Sequence, residues 1–156
     1  MDDYMEAAEE ELKRADHLIF VSLKYTRTVD VLKHVVDRLI NALDNMFSAL
    51  LEYLKENGKI EEIPTTPIQK ANYLKELYPD DEMVQEFCDL FMKFRKIAKA
   101  KFERSCEFRR HVTMTAFLAD DEIVKVDIDT ITADFKKTKT FFEHVETLLQ
   151  VSSDVE

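Results

Sequence analysis

The sequence predicts a mainly α-helical fold, an up-and-down bundle of about five helices with a small β-hairpin before the last. Three observations lead there. One glycine and three prolines in 156 residues leave few breakers. Apolar residues recur at spacings of three and four over most of the chain. Beyond about residue 103 that period changes, and residues 111–128 are rich in β-branched and apolar residues.

Met5, Ala8, Leu12, Ala15, Ile19 and Ser22 form a narrow stripe on a first helix, residues 3–24, with Asp2, Asp3 and Glu6 at its positive dipole end. Thr28 is suited to cap a second helix, residues 28–56, with Asp30 in its first turn. Its face is Leu32, Val36, Leu39, Leu43, Phe47, Leu50 and Leu54, broadened by Val35, Ile40, Met46 and Leu51. Asn57-Gly58 stops it, since glycine accepts the left-handed conformation that ends helices. Thr66-Pro67 opens a short third helix, residues 66–78, through Ala71, Leu74 and Leu77 to Pro79. Asp80, Asp81 and Glu82 begin a fourth over residues 81–103, with Val84, Phe87, Phe91, Phe94, Ala98 and Phe102 on one face. HVTMTAFL and EIVKVDI flank the turn-like Ala119-Asp120-Asp121 as a two-stranded hairpin over residues 111–128. Asp129 or Thr130 then caps a last helix, residues 130–150, through Ile131, Phe135, Phe142, Val145 and Leu149. The whole chain, residues 1–156, reads as one domain.

Eleven phenylalanines and six methionines suit a bulky helical core. Cys88 lies on an apolar stripe and Cys106 in the basic segment of residues 93–111, and two cysteines make no disulfide framework in a chain of this size. The acidic start MDDYMEAAEEEL does not look like a targeting peptide, and no apolar run approaches a membrane span. The expectation is a soluble, cytoplasmic protein with no membrane partner.

The chain carries a net charge of −10. Against that background, KFRKIAKAKFERSCEFRRH, residues 93–111, holds eight Lys and Arg and two Glu, a local +6. Such a reversal creates a field that can hold an anion, so Arg95, Arg104, Arg109 and Arg110 are candidate phosphate ligands. The overall acidity argues against broad, non-specific duplex binding. One glycine excludes a phosphate-cradling loop, and the calcium loop of an EF-hand lacks its glycine too. No histidine follows a glutamate by three residues, so a carboxylate-bridged di-iron bundle is excluded. Asp127 and Asp129 are better explained by turn and cap chemistry than by metal binding. No metal or cofactor is expected. Arg104 and His111, seven apart, would share a face if the segment were helical. A histidine there can move the proton of a 2′-hydroxyl, and an arginine can neutralise charge building on phosphorus.

Residues 5–112 resemble the HEPN family. The resemblance lies in the first helix, the long VDVLKHVVDRLINALDNMFSALLEYL helix, the proline-started short helix and the basic segment after it. It extends to Arg104-SCEFRR-His111, similar to the family's ribonuclease motif of an arginine and a histidine separated by roughly four to six residues. The resemblance implies a homodimer, a direction to which the broad second helix also points. It further implies either RNA or nucleotide binding, or pairing with a nucleotidyltransferase-type protein in a toxin–antitoxin setting. Ser105 follows Arg104 where active members carry Asn, Asp or His. The leading expectation is therefore a non-catalytic module that binds RNA or a nucleotide phosphate through residues 95–111. The alternatives are a metal-independent endoribonuclease using Arg104 and His111, and a scaffold or antitoxin-like interaction module.

Overall fold

The computed structural model describes residues 2–151 and is mainly α-helical, with a three-stranded antiparallel sheet ahead of the last helix. The first rod is α1 (Asp2–His17), a π-helical turn (Leu18–Ser22) and a last turn α2 (Leu23–Tyr25). The backbone stays right-handed through His17, Ser22 and Leu23. Widening the turn rotates the stripe, so the buried series Ala8, Leu12, Ala15, Ile19 ends on Leu23, where Ser22 was expected.

Helix α3 (Val29–Glu56) is the central element, and α1, α4 (Pro67–Leu77), α5 (Glu82–Lys99) and α6 (Ile128–Val151) all pack on it. Its residues Leu32, Val35, Val36, Leu39, Leu43, Met46, Phe47, Leu50 and Leu51 are buried. The breadth of that apolar face, one basis for expecting a dimer, is consumed by packing inside the chain. Phe47, Phe87, Phe91 and Phe141 knit α3, α5 and α6. Phe87 and Phe141 stack at 4.5 Å, and Phe47 meets Phe91 edge-on at 5.1 Å. Cys88 is buried beside them, and burial pushes its thiol up to about 12. Both cysteines are free thiols.

Local chemistry sets the helix ends. Thr28, Thr66 and Asp81 accept side-chain hydrogen bonds from the N–H groups of Val31, Gln69 and Val84. At the end of α3, Gly58 has φ +72°, Gly58 N–H donates to the Lys55 carbonyl and Lys59 N–H donates to the Leu54 carbonyl, a Schellman pair. At the start of α6, Asp127 accepts from Thr130 N–H while the Thr130 hydroxyl oxygen accepts from Asp127 N–H, a reciprocal capping box. The cap is thus Asp127, and Thr130 is its partner three residues on. Asp129 is left for another role.

The chief departure from expectation follows α5. The helix expected over residues 81–103 ends at Lys99; Ala100 turns extended (φ −75°, ψ 152°), and Lys101–Ser105 forms strand β1. It pairs with β2 (Thr113–Phe117), which pairs with β3 (Ile123–Asp127), in the order β1-β2-β3. The expected hairpin over residues 111–128 therefore gains a third strand. Pairing supplies the backbone hydrogen bonds that one more helical turn would have supplied. Among the described residues, no helix is long and apolar enough to cross a membrane.

Candidate functional site

The end of the basic segment forms a tight turn, residues 106–112, at one end of the sheet. Cys106 and Phe108 adopt left-handed backbone conformations, with φ +55° and +64°. For a bulky residue such as Phe this conformation is unfavourable, so surrounding contacts must enforce it. Three hydrogen bonds do so. Phe108 N–H donates to the Arg27 carbonyl at 2.6 Å, Arg109 N–H to the Cys106 carbonyl, and Val112 N–H to the Arg109 carbonyl. The result holds the Phe108 ring 75% exposed, beside the connector that follows Tyr25, itself 77% exposed. Val112 anchors the far end of the turn in the core.

The turn is also tied to the start of α3. Val29 N–H donates to a Glu107 carboxylate oxygen at 3.2 Å, so Glu107 occupies the positive end of that helix. Arg104, on β1, lies with its guanidinium 5.2 Å from the Phe102 ring centre and donates to Asp30 at 2.9 Å. Its other terminal nitrogen is 3.7 Å from Glu107. Lys33 lies 4.5 Å from the same Phe102 ring centre.

The four expected phosphate ligands therefore differ in availability. Arg95 stays on α5, half-buried over Phe91 at 5.8 Å, its Nε buried and without a hydrogen-bond partner. Arg104 is engaged with Asp30 and Glu107, and Arg110 with Asp129 at 2.8 Å. Lys96 pairs loosely with Asp120. Arg109 is exposed, and its side chain makes no hydrogen bond or ion pair among the described residues. Carboxylates from α3, α6 and the loop after β2 (Asp30, Asp129 and Asp120) thus offset about half of the +6 read from the sequence. Asp30 lies 74 residues from Arg104, and no local pattern could have revealed it.

Arg104 and His111 do not share a helix face, because one lies on β1 and the other in the turn before β2. The shared helical face that would have paired them is therefore absent. The His111 ring is exposed and carries no hydrogen bond among the described residues, so no carboxylate of theirs orients it, whereas His144 binds Asp81 at 2.7 Å. Sequence reasoning missed Phe108 and took Tyr25 for a core-edge or dimer contact; the exposure of both follows from tertiary placement. The one available signal was an aromatic residue set among arginines. Set against family models, curated proteins and solved structures, the chain matches none of them.

Proposed function

We propose that the chain is a non-catalytic module that binds single-stranded RNA, with Phe108 stacking on a base and Arg109 meeting the adjoining phosphate. The exposed Phe108 ring, held out by a left-handed backbone and the 2.6 Å bond to Arg27, carries this reading. An aromatic platform beside an unengaged arginine suits a base and its backbone, and stacking tolerates any base. Tyr25 offers a second ring two residues before the Arg27 anchor. Arg104 and Arg110 would contribute by exchanging a carboxylate for a phosphate, which makes binding modest and salt-sensitive.

The test is fluorescence anisotropy of labelled single-stranded RNA in EDTA, with gel analysis of the same samples. The expected result is binding without cleavage, weakened about tenfold by Phe108→Ala and also by Arg109→Ala. Cleavage that His111→Ala abolishes would restore the ribonuclease alternative. No RNA binding would favour the scaffold alternative, to which the ion-paired Arg104 and Arg110 already lend weight.

A further inference from the structure

Helices α1 and α6 both pack on α3 and touch each other only locally, leaving a groove of about 490 Å³ between them. Leu12, Phe135 and Phe142 form its apolar floor. Phe20, on the π-helical turn, is exposed and meets Phe135 edge-on at 6.1 Å, extending the apolar strip towards α2. π-Helical turns inside α-helices are frequent at functional sites, and this one turns Phe20 and Val21 outward.

Two acidic rails border the floor. Glu9 and Asp16 are seven apart on α1, hence on one face and two turns apart, and Glu143 and Glu146 are three apart on α6. Only Lys13 and Lys139 oppose them. Glu9 lies 3.6 Å from Lys13, and Lys139 sits over the Phe135 ring. An apolar strip between parallel carboxylate rows matches an amphipathic helix whose leucine stripe is flanked by lysines or arginines. A second copy of this chain fits badly, because an isologous contact would set the same carboxylate rows against each other.

We propose that the α1–α6 groove docks a cationic amphipathic helix of a protein partner. The site is separate from the arginine-rich turn, so it stands whether or not RNA binds there.

A designed Leu/Lys amphipathic peptide and its Leu/Glu counterpart serve as probes, followed by anisotropy and by amide chemical-shift mapping of the full chain. The Leu/Lys peptide is expected to bind, shifting α1 and α6 amides, and the Leu/Glu peptide is not. Glu143→Lys/Glu146→Lys, at exposed positions, is expected to weaken binding about tenfold. The charge-matched control Glu61→Lys/Glu62→Lys, in the loop after α3, is expected to leave it nearly unchanged. Equal loss in both double variants would overturn the proposal, as general charge attraction would suffice. Absence of Leu/Lys binding would overturn it too. So would a dimer in sedimentation that Phe142→Ala dissociates, since a second copy would then be the occupant.

Discussion

The backbone N–H of Phe108 donates a 2.6 Å hydrogen bond to the carbonyl oxygen of Arg27, joining the arginine-rich turn to the connector ahead of α3. That bond, with the Glu107 carboxylate on Val29 N–H, fixes two segments about eighty residues apart in sequence. It also explains how a phenylalanine is kept at φ +64° and out of the core. The chain holds an unfavourable conformation at this residue and exposes a large ring, two costs that a purely structural turn would avoid.

Glu107 competes with any anion for this end of the bundle, because it occupies the α3 N-terminus and lies 3.7 Å from Arg104. Glu107→Gln removes the charge while keeping an acceptor. Stability is expected to fall by about 0.3–1 kcal/mol, the worth of a carboxylate at a helix N-terminus. RNA affinity is expected to rise, as Arg104 loses one partner. Thermal melts and anisotropy titrations on the same samples check both; weaker RNA binding would show that Glu107 does not compete.

Gly58 closes α3 at φ +72°, and a Cβ there would meet nothing within 4 Å. Steric crowding is therefore absent, and only backbone preference opposes substitution. Gly58→Ala is expected to cost about 1 kcal/mol, read as a lower urea midpoint at constant slope. Gly58→Asn is expected to cost less, because asparagine tolerates the left-handed region.

What was legible in the sequence was local. Thr28, Thr66-Pro67 and Gly58 announce helix ends through their own backbone and hydroxyl chemistry, and the helical stripes name most of the buried residues. Strand β1 was hidden because Phe102 continues the Phe94, Ala98 spacing and no glycine or proline interrupts residues 99–101. Pairing with β2 overrides that helical pattern. The site was legible as a charge excess but not as a geometry. Asp30 and Asp129, which engage Arg104 and Arg110, come from other elements. Left-handed backbone at Cys106 and Phe108 has no signature when neither residue is glycine or asparagine.

Burial raises the Asp134 pKa, with Lys137 and Lys93 opposing the shift. The folded chain thus holds this proton more tightly than the unfolded chain does. Stability contributed by the group is present at acid pH and lost as pH rises through the folded-state value. Asp134→Asn is accordingly expected to raise the melting temperature at pH 7, with the gain shrinking towards pH 4. Melting curves across that range check it; a variant less stable at pH 7 would mean that Lys137 and Lys93 outweigh burial.

Phe108→Gly tests the central claim most directly, because it separates the backbone from the ring. Glycine accepts φ +64° freely, so the fold should keep or gain stability, by up to about 1 kcal/mol. With the stacking platform removed, affinity for labelled single-stranded RNA is expected to fall about tenfold or more. A variant that melts no lower than wild type yet loses RNA would establish Phe108 as a binding residue. Unchanged RNA affinity in a well-folded Phe108→Gly chain would contradict the account.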